Sequence, residues 1–308
     1  MKIKGDKMTK LNKVISTTKN LINLPHNQFN LNNHLQVYLK NEIKVALNAE
    51  TSENLPIKLM SGNHPLAGIL MTNWNRGNKR NIYIVGKGIL FDSGGLNIKI
   101  RDMDSMTGDK AGMIIALSVA NYLGGNVVAY CPVTTNFIQT SKIIPGDEIK
   151  IGNKLVKVND TDAEGRLILA EAISSLYVSK NDVIITVATL TGCCEYAVDK
   201  ATGVFGGLNL HPNSLVWDYL HAAEEAKELA WGLPMFDYMQ DSYKKQPIKN
   251  YVKEIKAGAS QGAMFLKQFV KYPENWIHLD IANSAFDKNG KANGVPIKSL
   301  INFIKKLQ

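Results

Sequence analysis

Residues 81–100 read NIYIVGKGILFDSGGLNIKI. The run Asn81–Val85 is short, apolar and rich in β-branched residues, and Gly86 stops it, which predicts a buried strand. Lys87 follows at the carboxyl end of that strand, where open α/β sheets gather the groups that meet ligands. Asp92 stands before Ser93-Gly94-Gly95, a turn flexible enough to bring backbone close to a bound group. Lys99 comes twelve residues after Lys87. The glycine spacing fits neither GxxxxGK[ST] nor GxGxxG, so a phosphate loop is not expected.

Working outward, the same kind of run recurs at Asn126–Val133, Asp182–Leu190 and Trp276–Ala282. Helical patterns lie between and after them. Ala111–Leu123 is apolar nearly all round, as for a helix covered by a sheet. In Glu164–Val178, Leu169, Ile173, Leu176 and Tyr177 share one face. Leu220–Ala230, Gln261–Val270 and Ile297–Leu307 are further amphipathic candidates. This alternation predicts an α/β layer fold with a largely parallel or mixed sheet. The first 75 residues are less regular: a helix over Leu11–Leu24 before Pro25, then short strands near Lys44–Leu47 and Gly68–Thr72. No linker stands out, so residues 1–308 are expected to form one domain, an irregular lead-in (1–75) followed by a core (76–308).

Composition bounds the function. The 308 residues are 45% hydrophobic and 20% charged, which excludes disordered, collagenous and disulfide-framework classes. No run of 18 apolar residues occurs, and the basic Met1–Lys13 lacks a following apolar segment, so neither a membrane span nor a secretory signal is expected. The cysteines, Cys131, Cys193 and Cys194, are odd in number with two adjacent, as fits reduced thiols in the cytoplasm. The net charge of +9 raises nucleic acid as a partner, but the lysines are spread along the chain and such a role is not expected. No two of the six histidines have metal-ligand spacing and no CxxC occurs, so a His- or Cys-rich metal site is not expected.

Two more segments carry charge in unusual places. In DMDSMTGDKAG (Asp102–Gly112), Asp109 precedes the apolar helix and either caps it or points back to the strand ends. In NDTDAEGRL (Asn159–Leu167), Asp162, Glu164 and Arg166 alternate, which projects all three to one side if this stretch is extended. Capping alone explains Asp162 and Glu164, but not a cation at a positive helix end. Asp92, Asp109, Asp162 and Glu164 all stand next to strand ends. Facing one cleft they would repel one another and raise their pKa values. Two divalent cations balance the four charges, as in a two-metal hydrolytic site, and oxygen ligands suit Mn²⁺, Mg²⁺ or Zn²⁺.

VGKGILFDSGGLNIK, MDSMTGDKAG and NDTDAEGRLILAEA together resemble the motifs of the leucyl (cytosol) aminopeptidases, the peptidase B branch most of all. Ile15–Phe29, Val187–Gly192, Ala257–Val270 and Trp276–Ala282 extend the resemblance from about residue 10 to the C-terminus. It implies a three-layer α/β/α catalytic domain around a mixed, mostly parallel sheet, with two divalent ions (Mn²⁺ or Zn²⁺) per subunit. Lys87, Asp92, Asp109 and Glu164 would hold the tighter metal, with Lys87 neutral. Asp92, Asp162 and Glu164 would hold the more exchangeable one. Lys99 would stabilise the oxyanion, and Arg166 would bind a bicarbonate ion that shuttles protons. Met106, Thr189 and Gly192 would line the side-chain pocket, with Leu190 offering backbone contacts and Leu or Met preferred. The substrates would be peptides with a free N-terminus, the assembly a homohexamer and the location cytoplasmic.

The sequence also departs from the family pattern. The N-terminal domain of over a hundred residues is expected to be missing. Lys110-Ala111 replaces a common Met-Gly pair and Asp160 replaces an Asn. Lys110 would weaken metal binding if it pointed inward. Cys193 and Cys194 are expected to be free, buried thiols. The alternatives to a peptidase are a nucleic-acid-binding hexamer and a relative that keeps the scaffold without turnover.

Overall fold

The computed structural model describes residues 2–30, 34, 43–48, 56–61, 67–72, 80–138, 142–208, 211–212 and 214–308. Its helices are α1 (Lys2–Asn23), α2 (Pro56–Ser61), α3 (Ala111–Leu123), α4 (Glu164–Ser175), α5 (Glu195–Val198), α6 (Leu215–Ala226), α7 (Asp237–Asp241), α8 (Gly258–Lys267) and α9 (Ile297–Leu307). The strands are β1 (Ile43–Asn48), β2 (Gly68–Thr72), β3 (Ile82–Gly86), β4 (Gly88–Asp92), β5 (Val127–Asn136), β6 (Glu148–Ile151), β7 (Lys154–Lys157), β8 (Val183–Ala188), β9 (Thr202–Gly206), β10 (Ala230–Gly232), β11 (Ile248–Lys249) and β12 (Trp276–Asp280).

The main sheet runs β1-β2-β5-β3-β8-β12-β9-β10, with β4 added beside β5. Its central pairs β5·β3, β3·β8 and β8·β12 are parallel, while β1·β2, β2·β5 and β12·β9 are antiparallel. It is thus mixed and mostly parallel. Alternation along the central strands sends apolar residues to both faces. From β3, Ile82 and Ile84 pack with α1, α3, α6 and α9 on one side. Tyr83 and Val85 pack with α2, α4, α7 and α8 on the other. The result is a three-layer α/β/α sandwich. A small sheet, β11-β7-β6, joins the second layer through Ile149, Ile151 and Val156.

The predicted strand cores and the helices at Ala111–Leu123 and Ile297–Leu307 agree with the structure. Four helices differ in their boundaries. α1 begins at Lys2 rather than Leu11. α4 stops at Ser175 because Leu176 turns extended. α6 occupies Leu215–Ala226, because Lys227 adopts a left-handed conformation (φ 58°) that ends the helix before Ala230. α8 starts three residues earlier than the predicted Gln261. His64 lies outside the described residues.

Candidate metal centre

β3 and β8 run parallel in register and end together, Gly86 opposite Val187. α3 is docked tightly against those ends. The Lys87 amide donates to Val187 O (3.0 Å) and the Met113 amide donates to Lys87 O (2.8 Å). A Cβ on Gly112 would collide with the Val187 carbonyl, so only glycine allows this approach. Lys87 and Asp109, which precedes α3, therefore reach the same spot. Asp92 ends β4, and its Oδ1 accepts from the Gly94 amide (2.8 Å) and Asn136 Nδ2 (2.7 Å). Asn97 and Thr161 bind each other's backbone and side chains, which fastens the loop after Asp92 to the loop carrying Asp162 and Glu164. The N-cap positions of α3 and α4 are Lys110 and Ala163, neither of which caps its helix with a side chain.

These loops bring four carboxylates and two lysines together. Lys87 Nζ lies 2.8 Å from Asp109 Oδ1 and 3.1 Å from Glu164 Oε1, and donates to Thr189 O at 2.9 Å. A Cβ at residue 165 would stand 2.6 Å from Lys87 Cε, so Gly165 makes room for the lysine. Lys99 Nζ pairs with Asp92 Oδ2 (2.8 Å) and with Asp162. Carboxylate oxygens of Asp92, Asp162 and Glu164 lie within 4.8 Å of one another. Asp109 Oδ2 and Glu164 Oε2 are buried and have no hydrogen-bond partner among the described residues. Burial, with Asp92 adding repulsion, pushes Glu164 up to about 8, and burial pushes Asp109 up to about 6. Burial opposes the charge on Lys87 and Lys99, but the surrounding carboxylates outweigh it and raise both.

Such a donor set, oxygen-rich with two buried oxygens unused, fits divalent cations. A family model described as the catalytic domain of the cytosol aminopeptidase family matches residues 17–301. The chain belongs to the cytosol aminopeptidase family. A probable cytosol aminopeptidase of Rhodopirellula baltica is 32% identical over 323 aligned residues, covering 96% of this chain and 62% of that protein. The cytosol aminopeptidase of Buchnera aphidicola (subsp. Acyrthosiphon pisum, strain APS) is 33% identical over 316 residues, covering 94% and 62%. A probable cytosol aminopeptidase of Prochlorococcus marinus (strain MIT 9312) is 35% identical over 251 residues, covering 74% and 49%. The chain therefore spans roughly half to three-fifths of the length of these curated relatives.

In this member of the cytosol aminopeptidase family, Arg166 departs from the expected one-sided array. Glu164 opens α4, so Arg166 is on a helix and not on an extended stretch. Its Nη1 turns to Asn250 O (2.8 Å) and Gln261 Oε1 (3.2 Å), while its buried Nε has no partner among the described residues. Thr189 Oγ1 donates to Asp109 Oδ1 (2.6 Å), which joins the expected pocket segment to a carboxylate of the cluster. Leu190 is half-buried and Gly192 exposed, and Met106 is half-buried in the 3₁₀ turn Met103–Lys110. Lys110 is fully buried but faces away from the carboxylates: its Nζ donates to Leu24 O (2.8 Å) and Thr107 O (2.6 Å). Asp160 Oδ1 accepts from the Asp162 amide (2.9 Å) and so shapes the turn. The expectation of two buried thiols is corrected: both are free and Cys194 is buried, but within the 3₁₀ turn Gly192–Cys194 the first two residues, Gly192 and Cys193, are exposed.

Sequence reading missed the polar residues that hold this framework. Asn250, fully buried, accepts from the Asn159 amide (2.7 Å) and donates to Asp160 O (2.6 Å). Gln261 Nε2 donates to Val252 O (2.7 Å) and Ile255 O (3.1 Å). Asn250 lies in a loop, where no periodicity betrays a buried amide, and Gln261 is a buried polar residue in the first turn of α8.

Proposed function

We propose that this protein is a dinuclear metal-dependent aminopeptidase that removes N-terminal residues, Leu or Met among them, from peptides. The observation that carries the proposal is the clustering of Asp92, Asp162 and Glu164 within 4.8 Å, beside unpartnered buried oxygens on Asp109 and Glu164. Lys87, Asp92, Asp109 and Glu164 would hold one ion, and Asp92, Asp162 and Glu164 the other. Bound there, divalent ions such as Mn²⁺ or Zn²⁺ supply Lewis acidity toward a peptide carbonyl and lower the pKa of water.

The chain's own residues do the rest. Lys87 gives up its proton when the charge of Asp109 and Glu164 is taken up by a cation. Lys99 stays protonated between Asp92 and Asp162 and offers a donor to an oxygen that gains negative charge. Arg166, whose buried Nε has no partner among the described residues, would hold a planar anion such as bicarbonate, which would supply proton transfer toward the leaving amine. Thr189, Leu190, Gly192 and Met106 receive the substrate's N-terminal side chain. Residues 1–308 act as one catalytic unit, and hexameric assembly in the cytoplasm belongs to the same reading. Among the described residues no helix is long and apolar enough to cross a membrane.

Hydrolysis of leucine p-nitroanilide after loading with Mn²⁺ tests the proposal. Metal-dependent release of p-nitroaniline is expected. A folded protein that stays inactive at every metal concentration overturns it.

A further inference from the structure

We propose that Asp280 is a positioning residue that sets the Thr189–Gly192 loop and, through it, the fit of the substrate's N-terminal side chain. This rests on the aminopeptidase reading above. β12 lies parallel to β8 with Asp280 opposite Ala188, so the carboxylate stands where β8 gives way to the loop. Asp280 is 1% exposed. Its Oδ1 accepts from the amides of Leu190 (3.3 Å), Thr191 (3.4 Å) and Ala282 (3.2 Å), and its Oδ2 accepts from the Thr191 hydroxyl. Neutral donors, three of them from the loop, thus satisfy both oxygens. Burial raises the Asp280 pKa and these hydrogen bonds work against that rise.

The loop divides accordingly. Thr191 is buried against Asp280, while Thr189 and Leu190 are half-buried and Gly192 is exposed. On its far side the Thr189 hydroxyl donates to Asp109 and its carbonyl accepts from Lys87 Nζ. Gly192 O accepts from Asn283 Nδ2 (3.2 Å), a second tie to the segment after β12. One buried carboxylate therefore fixes a loop that both touches the carboxylate cluster and borders the expected side-chain pocket. Asp280→Asn keeps the shape, removes the charge and turns one acceptor into a donor facing donors.

The test compares Mn²⁺-loaded wild type and Asp280→Asn on leucine and alanine p-nitroanilides. The Leu KM is expected to rise about tenfold and the Ala KM less, with kcat falling less than about threefold. Thr191→Val should move the Leu KM the same way by about threefold, and Thr191→Ser should restore it. An unchanged Leu KM in folded variants overturns the proposal, as does an equal rise for both substrates. Should Asp280→Asn fail to fold, the Thr191 pair decides by the same criteria. Should wild type cleave neither substrate, the aminopeptidase reading fails, and amide exchange at Leu190 and Thr191 judges the loop alone. Exchange faster by about tenfold in Asp280→Asn supports the role, and unchanged exchange overturns it.

Discussion

The carboxyl ends of β8 and β12 lie side by side, and the buried acids near them are treated in opposite ways. Asp280, at the end of β12, has both oxygens occupied by amide and hydroxyl donors. Asp109 and Glu164, gathered at the ends of β3 and β8, pair with Lys87 yet each keep a buried oxygen with no partner among the described residues, beside Asp92 and Asp162, which pair with Lys99. A buried acceptor without a partner costs about 1–3 kcal/mol, more when charged. A fold that can satisfy Asp280 completely has the means to satisfy the others as well. The difference separates an acid that holds backbone from acids that, gathered beside Asp92 and Asp162, leave coordination capacity in one shared place for a cation.

The largest expected effect comes from Asp92, the ligand proposed to serve both ions. Asp92→Ala should drop metal content below two ions per chain, read by elemental analysis, and lower kcat/KM by about a thousandfold or more. Lys99→Ala should keep both ions and lower kcat by about 10²- to 10³-fold, since it removes a donor and no ligand. Arg166→Ala should keep both ions and slow turnover by about 10- to 100-fold, and added bicarbonate should no longer stimulate it.

A buried acid far from the cluster sharpens the comparison at the smallest scale. Burial lifts Glu171 from 4.5 to about 8, and among the described residues only the Ile57 amide donates to it. The folded protein therefore holds a proton that the unfolded chain releases above about pH 4.5, so stability falls as pH rises from there to about 8 and then levels. Glu171→Gln should flatten that slope and gain on the order of 1–2 kcal/mol at pH 8 in urea unfolding, with activity unchanged.

Much of this was legible in the sequence, because strand ends and acidic residues stand next to each other in the chain. Lys87 and Asp92 follow β3 within a few residues, and Asp109 directly precedes α3. What escaped reading depends on partners distant in the chain. Asn136 holds Asp92 from 44 residues away, and Asp280 reaches Thr191 across 89. β4 was hidden because its apolar run sits between two glycine turns and reads as part of them. The direction of Lys110 was equally unreadable, since one of the two carbonyls it binds, Leu24 O, lies 86 residues away.

The most direct measurement is calorimetric titration of the metal-stripped protein with Mn²⁺ in buffers of different ionisation enthalpy. The account requires two ions per chain with net proton release, as Lys87 and the raised carboxyl of Glu164 deprotonate to become ligands. A folded protein that binds no Mn²⁺, or binds it without releasing protons, would contradict the account.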